Sequence, residues 1–250
     1  MSDPIWNQFL TERDKQVFAV AGFGARQGFG KRPALLLVDV TYNFCGDKPE
    51  PILESIKRWR TSCGEEAWEG LKAIKRLLAA ARENDLPVIY TTGNRRADNW
   101  DAGSSSWKNS RTRERALVRG TNQHGDTIMP VIAPEPCDIV VTKQKPSAFF
   151  GTPLSSYLTL LGVDSLIVAG TTTSGCVRAS VLDAFSNNYR VMVVEEGCFD
   201  RLQVSHAMSL CDMHAKYADV LKLDEVLSFI GTLSNGMFDL PKPDQLAVPR

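Results

Sequence analysis

The chain has 250 residues, of which 43% are hydrophobic, and its 29 basic and 29 acidic side chains leave a formal net charge of zero. That apolar content can bury a substantial core and excludes a disordered chain. Without a net positive charge there is no general field to gather nucleic acid or an anionic membrane surface, so we expect neither as a partner. The apolar stretches are far shorter than the roughly 20 residues that cross a bilayer, and the first residues lack a secretory signal pattern, so we expect a cytoplasmic protein.

Short β-branched runs alternate with longer helical periods along the chain. The predicted strands are 34–39, 87–92, 138–142, 165–170, 190–194 and 218–221. The predicted helices are 64–84, 152–161, 175–187, 202–216 and 223–230. Strands that are apolar almost throughout are typical of a parallel sheet buried on both faces. The alternation therefore predicts one α/β domain over residues 1–250, with helices on both sides of a mostly parallel sheet.

Three regions lie outside this predicted core. The N-terminal arm, residues 1–31, contains a glycine-rich stretch that resembles a dinucleotide loop, but it has Gln27 at a glycine position and precedes the first strand, which excludes that loop. The segment 93–137 is rich in basic residues and too long for a plain connection, which favours a lid or a subunit contact, with a solvated basic helix as the alternative. The proline-rich end, residues 239–250, predicts an extended tail that packs on a neighbouring subunit.

Cysteine and histidine are scattered along the chain. The cysteines stand at positions 45, 63, 137, 176, 198 and 211 without a CxxC pair, and the histidines form no HExxH or HxxxH pattern. A chain of this size folds without disulfides, and metal sites need ligands at characteristic spacings. We therefore expect no disulfide framework, no metal ion and no cofactor.

Three reactive residues follow predicted strands. Asp39 closes a run of leucine and valine, Lys143 follows another apolar run, and Cys176 stands between a strand and a helix. Open parallel sheets bind ligands beyond the carboxyl ends of their strands, so these residues are candidates for catalysis. Each has a structural alternative, which is a cap for Asp39, a solvated charge for Lys143 and a small buried hydrophobe for Cys176.

The position of Cys176 at a helix start has a chemical consequence. Unpaired amides and the helix dipole stabilise a thiolate there, and a neighbouring ammonium lowers the pKa of the thiol further. The same turn supplies backbone donors for an oxyanion. We therefore predict that Cys176 is a nucleophile.

Four segments together resemble the isochorismatase-like cysteine hydrolases. They are residues 32–39, 141–154, 167–178 and 195–201, which read RPALLLVD, VTKQKPSAFFGTPL, IVAGTTTSGCVR and EEGCFDR. The resemblance implies a three-layer α/β/α fold with Rossmann-like topology, and a homo-oligomer for which a tetramer is expected. It also implies a catalytic triad of Asp39, Lys143 and Cys176, with Lys143 rather than Lys145 as its lysine.

The resemblance further assigns the groups that surround the nucleophile. It implies a cis peptide bond between Thr171 and Thr172, and an oxyanion hole formed by the amides of Thr172 and Cys176. Arg201 matches the arginine that binds a substrate carboxylate, although a surface salt bridge is the alternative for it. Thr172 and Phe149 complete the predicted substrate-binding residues.

The reaction implied by this resemblance is hydrolysis of a small carboxylate-bearing N-carbamoyl compound or amide, with release of ammonia through a thioester-type intermediate. Nicotinamidases of that family hold a metal through one aspartate and two histidines downstream of the triad aspartate. No histidine precedes His124 here, which disfavours a metal-dependent nicotinamidase. Two alternatives from other classes are a non-catalytic ligand-binding protein and a cofactor-binding oxidoreductase, the latter without a glycine fingerprint after the first strand.

Overall fold

The structure is a computed structural model that describes residues 3–94, 96, 98, 100–108 and 123–240. Its strands are β1 (Pro33–Val38), β2 (Val88–Gly93), β3 (Ile139–Lys143), β4 (Ser165–Thr171), β5 (Arg190–Phe199) and β6 (Asp219–Leu221). Its α-helices are α1 (Glu12–Ala21), α2 (Tyr42–Cys45), α3 (Ile52–Ser55), α4 (Glu65–Glu83), α5 (Ser104–Lys108), α6 (Leu154–Leu161), α7 (Arg178–Ser186), α8 (Gln203–Lys216) and α9 (Leu223–Ile230). Short 3₁₀ turns cover Ile5–Phe9, Trp100–Ala102 and Pro130–Ile132, and a π turn covers Thr173–Val177.

The six strands of the described chain form one parallel sheet in the order β3-β2-β1-β4-β5-β6. All of them end at the same edge, which we call the carboxyl edge, and the opposite edge is the amino edge. β1 pairs with β2 on one side and with β4 on the other, so the order of strands across the sheet reverses at β1. Open parallel sheets bind ligands at such a reversal, beyond the carboxyl ends of the strands.

Helices cover both faces of the sheet, and for this reason β1 and β4 are buried along their whole length. α4 packs with α9, and α7 packs with α8. The sequence of α4 shows why these layers form, because Leu71, Ile74, Leu77 and Leu78 recur on one helical face and are all buried. The expected three-layer α/β/α arrangement is confirmed.

The glycine-rich stretch of the arm docks on the amino edge. The amide of Gln27 donates to Asp219 Oδ1 at 3.1 Å, and the amide of Gly28 donates to Asp219 Oδ2 at 2.8 Å. Asp219 is itself buried at the start of β6. This stretch therefore anchors the arm to the sheet, at the edge opposite the candidate catalytic residues.

The predicted strands are confirmed to within one or two residues, except that β5 runs on to Phe199 instead of ending at position 194. Its pairing with β4 shifts register between Val168 and Gly170, so β5 carries extra residues between two paired stretches. The helix predicted at 175–187 begins instead as a π turn, and α7 starts at Arg178. The other predicted helices are confirmed to within two residues, whereas the short helices before and after β1 were not predicted.

Several predictions concern residues 1–2, 95, 97, 99, 109–122 and 241–250, which lie outside the described residues. In the described part of the segment 93–137, Asp101 accepts a hydrogen bond from Gln144 Nε2 at 3.1 Å, so this segment touches the loop after β3. Its role, the packing of the tail and the extent of a single domain over residues 1–250 stay predictions. In the described parts of the chain, no helix is long and apolar enough to cross a membrane.

Candidate active site

Asp39 follows β1 directly and is held by the neighbouring strand. Its φ is +53°, in the left-handed region that residues other than glycine rarely adopt and that recurs at functional sites. The hydroxyl of Thr91 in β2 accepts a hydrogen bond from the Asp39 amide at 3.0 Å and donates one to Asp39 Oδ1 at 2.7 Å. This pair of bonds fixes the carboxylate at the carboxyl edge, where Asp39 is 5% exposed.

Lys143 ends β3, and its ammonium reaches across the sheet edge to Asp39. Nζ donates to Asp39 Oδ2 at 2.7 Å, and both side chains are buried, at 5% and 7% exposure. Nζ also donates to the backbone carbonyls of Lys145 at 3.1 Å and Pro146 at 3.0 Å. The structure therefore pairs Asp39 with the amine of Lys143, while Lys145 contributes only its carbonyl to this contact.

β4 approaches β1 closely just before the third candidate residue. Gly170 has a φ of +119°, and a Cβ at this position would overlap the backbone of Val38. Only glycine therefore permits the approach. The peptide bond between Thr171 and Thr172, at the end of β4, is cis, as predicted.

Cys176 lies in the π turn Thr173–Val177, which leads directly into α7. We call this segment the nucleophile turn, after the predicted role of Cys176. Its glycine packs closely, because a Cβ at Gly175 would stand 2.6 Å from Thr172 Oγ1 and would force that side chain to move. π turns are rare and occur frequently at functional sites. Cys176 as a residue is partly exposed, although burial strongly affects its thiol.

The Asp39 carboxylate and the Lys143 ammonium are the two charged groups that act on the Cys176 thiol, so the three side chains lie close together. Burial and the Asp39 charge raise the pKa of Cys176 to about 12, although Lys143 lowers it. The prediction of a lowered thiol pKa is therefore wrong, because burial outweighs the nearby ammonium. For Lys143, burial lowers the pKa, but Asp39 and Cys176 more than offset this, so the pKa lies above its usual value. The resting triad thus holds a neutral thiol beside an ion pair.

Two further buried residues hold the nucleophile turn from the side of β5 and α8. Asp200, directly after β5, accepts the amide and the hydroxyl of Ser174 on Oδ2 at 2.8 and 2.7 Å, and the amide of Arg201 on Oδ1 at 2.7 Å. His206 Nδ1 lies 2.8 Å from Thr173 Oγ1. Sequence reasoning missed both residues, and the only available signal was that Asp200 precedes a residue already singled out.

Two of the three predicted substrate-binding residues, Arg201 and Phe149, make their recorded side-chain contacts with residues outside the triad. Arg201 is partly buried and donates from Nη1 to the carbonyl of Thr61 at 2.9 Å. Phe149 is buried, and its ring centroid lies 6.2 Å from that of Tyr189, at the far end of α7 from Cys176. Their roles in substrate binding stay predictions, as does the oxyanion hole of Thr172 and Cys176.

A cavity of about 330 Å³ lies behind the nucleophile turn rather than at the triad. Its acidic lining residues are Glu65, Glu66, Glu69, Glu195, Glu196 and Asp200. This lining would repel an anion, so the cavity does not suit a carboxylate-bearing ligand. Within the described part of the molecule, no group of three histidine, cysteine or acidic side chains is placed to hold a metal ion.

A family model described as the isochorismatase domain matches residues 33–225, and this range contains the whole triad. The chain belongs to the isochorismatase family. As a member of this family it is a hydrolase, in agreement with the resemblance that the four sequence segments carry. The match begins with β1 and ends inside α9, so it includes the entire sheet.

Two characterised relatives of this isochorismatase-family chain are amide hydrolases. Maleamate amidohydrolase of Pseudomonas putida is 30% identical over 205 residues, which are 82% of this chain and 90% of the relative. N-carbamoylsarcosine amidase of an Arthrobacter species is 29% identical over 238 residues, which are 92% of this chain and 83% of the relative. A solved cysteine hydrolase from Pseudomonas syringae has the same fold, with a TM-score of 0.72 at 21% identity, covering 83% of this chain and 96% of that one.

Proposed function

We propose that this chain is a cysteine amidohydrolase that cleaves a C–N bond of a small carboxylate-bearing N-carbamoyl compound or amide and releases ammonia. The observation that carries the proposal is that the Cys176 thiol lies close to the buried Asp39–Lys143 ion pair at the strand-order reversal. In this arrangement the thiol is the nucleophile and the neighbouring carboxylate is its base. The names of the two amide-hydrolysing relatives support the substrate class, since maleamate and N-carbamoylsarcosine both carry a carboxylate and a terminal amide-type nitrogen.

The first chemical step follows from the protonation state of the triad. Because the pKa of Cys176 is about 12, the thiol is neutral at rest, and its proton must leave as the sulfur attacks. Asp39 is the proposed acceptor of that proton, since its carboxylate lies close to the thiol. Lys143 stabilises the negative charge that develops on the sulfur and keeps Asp39 in place.

The second step expels the nitrogen. In the proposed mechanism the amides of Thr172 and Cys176 donate to the oxyanion that forms on the substrate carbonyl. As this intermediate collapses, the C–N bond breaks, and Asp39 returns its proton to the leaving nitrogen, which departs as ammonia. Water then hydrolyses the thioester or thiocarbamate and restores the thiol. From an N-carbamoyl substrate the carbamate product loses carbon dioxide and leaves the free amine.

In this proposal, residues around Cys176 select the substrate. Arg201 supplies the positive charge for the substrate carboxylate, next to the backbone of Thr61 that holds its Nη1. Thr172 and Phe149 are the proposed remaining contacts. A single arginine indicates that the substrate has a carboxylate, but it does not identify the rest of the molecule. N-carbamoylsarcosine, maleamate and ureidoacrylate are therefore all candidates.

The test is ammonia release by the wild-type chain and by Cys176→Ala. The panel contains N-carbamoylsarcosine, other N-carbamoyl amino acids, maleamate, ureidoacrylate and nicotinamide. We expect turnover of at least one ureido acid, with loss of about 10³-fold or more in Cys176→Ala because the covalent route is removed. Turnover of maleamate alone would move the assignment to simple amides. No ammonia from any member would contradict the proposal and favour a non-catalytic ligand-binding protein.

We further propose a homo-oligomer, with a tetramer expected from the family resemblance, and a cytoplasmic location. Light scattering after size-exclusion chromatography measures the first, and a monomer at micromolar concentration would contradict it. Cell fractionation measures the second, with recovery of the chain in a membrane or secreted fraction as the opposing result.

A further inference from the structure

Asp200 lies outside the triad and is a candidate for a second role in the reaction. It is 4% exposed and lies between the end of β5 and Arg201. Its carboxylate receives three hydrogen bonds, two of them from Ser174 and one from the Arg201 amide. Ser174 is two residues before Cys176, inside the nucleophile turn. One buried carboxylate thus binds both the turn that carries the thiol and the backbone of the proposed carboxylate-binding arginine.

We propose that Asp200 is a positioning residue that holds the Cys176 thiol in register with Asp39 and Lys143. This inference rests on the proposed role of Cys176 as nucleophile. The amide of Ser174 is fixed by Asp200 Oδ2 at 2.8 Å, so the turn cannot rotate about this point without breaking a hydrogen bond to a buried charge. Such bonds to charged groups are among the stronger ones in proteins.

Asp200 and His206 bind the first two residues of the nucleophile turn from outside it. At the entry to the turn, the carbonyl of Thr172 accepts hydrogen bonds from the amides of Gly175 and Val177 at 2.9 and 3.2 Å. These bonds are local to the turn. Hydrogen bonds from other elements reach the turn at three residues, since His206 meets Thr173, Asp200 meets Ser174, and the Ser180 hydroxyl of α7 donates to the Cys176 carbonyl at 2.7 Å. A displacement near 1 Å between reacting groups can cost about 100-fold in rate, so loss of this anchor should be visible in turnover.

The change Asp200→Asn tests the proposal because an amide cannot accept on both sides. Whichever way the asparagine turns, its NH₂ group faces a backbone amide, either that of Ser174 or that of Arg201. We expect kcat to fall about 30-fold while KM changes less than about threefold, since thiol alignment matters mainly in the transition state. A merely structural role would lower thermal stability without this split between kcat and KM.

Asp164 offers a matched control at the other edge of the sheet. Like Asp200, it accepts one hydrogen bond on one carboxylate oxygen and two on the other. Oδ2 accepts the Lys31 amide at 2.8 Å, and Oδ1 accepts the Arg32 amide at 2.9 Å and the Ser165 hydroxyl at 2.8 Å. Asp164→Asn creates the same donor conflict far from the nucleophile turn. We expect it to lower the melting temperature and to leave kcat within about twofold of wild type.

A second pair of variants serves if Asp200→Asn does not fold. Ser174 is exposed, so it tolerates substitution, and Ser174→Ala removes only the hydroxyl bond to Asp200. We expect kcat to fall about fivefold in Ser174→Ala and to return to within about twofold in Ser174→Thr, which keeps the hydroxyl. Equal activity of these two variants would overturn the proposal.

Alkylation of Cys176 by iodoacetamide gives a readout that needs no substrate. Peptide-resolved mass spectrometry follows Cys176 against Cys137, the other partly exposed thiol. We expect the rate at Cys176 in Asp200→Asn to fall about fivefold or more relative to Cys137, because the displaced thiol loses contact with its base. Equal effects of Asp200→Asn and Asp164→Asn on this rate would overturn the proposal even if the panel of amides shows no turnover.

Discussion

Both edges of the sheet contain buried aspartates, and these differ in what surrounds them. At the amino edge, Asp219 accepts the backbone amides of Gln27 and Gly28, which carry no titratable proton. At the carboxyl edge, Asp39 accepts an ammonium and lies against a thiol. Their exposures are almost equal, at 3% and 5%. We therefore expect chemical reactivity at this sheet to depend on the partners of a carboxylate and not on its burial.

The largest expected effect comes from separating the ion pair at the carboxyl edge. Asp39→Asn leaves the Lys143 ammonium buried without its carboxylate, and asparagine tolerates the left-handed φ at this position, so no backbone strain is added. We expect turnover to fall about 10³-fold and the free energy of unfolding to fall by about 3–5 kcal/mol. Ammonia release and urea denaturation measure the two losses.

The double variant Asp39→Asn with Lys143→Met separates stability from catalysis. Removing both charges should restore most of the free energy of unfolding, because no unpaired ion remains buried. Turnover should stay at the level of the single variant. If the double variant is no more stable than Asp39→Asn, the ion pair is not the source of the loss.

Thr91 is expected to have a smaller effect because it acts on Asp39 indirectly. Thr91→Val keeps the shape but removes the hydroxyl that receives the Asp39 amide and donates to its carboxylate. We expect kcat to fall about tenfold and the free energy of unfolding by about 1–3 kcal/mol, as for a buried donor left without a partner. Thr91→Ser keeps the hydroxyl and should retain most activity, and equal kcat values for the two variants would exclude the role of that hydroxyl.

At the amino edge, we expect a loss of stability alone. Asp219→Asn puts an NH₂ group against one of the two arm amides and should lower the free energy of unfolding by about 1–3 kcal/mol. Turnover should stay within about twofold of wild type at temperatures where the variant is folded. A tenfold fall in kcat would contradict the separation of the two edges.

The last prediction concerns the pH dependence of stability. Burial raises the pKa values of Cys63, Cys176 and Cys198 to about 12 each, whereas an unfolded cysteine titrates near 8.5. Because the folded pKa is raised, the unfolded chain loses these protons first, and stability that is fully present below about pH 8.5 declines as the pH rises toward 12.

Urea denaturation at pH 7, 9 and 10 measures this decline. Cys198→Ala removes one titrating thiol and should flatten the slope by up to about 1.4 kcal/mol per pH unit above pH 9. An unchanged slope in this variant would show that Cys198 does not keep its proton in the folded chain.

The parallel sheet and the positions of the three triad residues were predictable from local patterns. Apolar runs separated by helical periods define a parallel sheet, and a residue at the end of such a run is then placed at the carboxyl edge without further information. Asp39, Lys143 and Cys176 were found in this way. The extension of β5 to Phe199 was not, because its bulge depends on pairing with β4 and has no signature in the charged sequence around position 195.

The second group of residues around the site lay beyond sequence reasoning. Thr91, Asp200 and His206 contact residues 52, 26 and 33 positions away along the chain, and nothing in their local sequence identifies those partners. A polar residue at a strand end or in a helix has many alternatives that satisfy its hydrogen bonds equally well. Only the packed structure selects among them.

The sequence by itself predicted the order of strands and helices and the three candidate catalytic residues from periodicity and residue type at strand ends, and the family from the resemblance of four segments. The tertiary structure decided how those residues behave. It buries the thiol and sets it beside Asp39, which raises the pKa that its helix-start position was expected to lower. The physical reason is that desolvation depends on everything packed around a group, and most of those neighbours are distant in sequence.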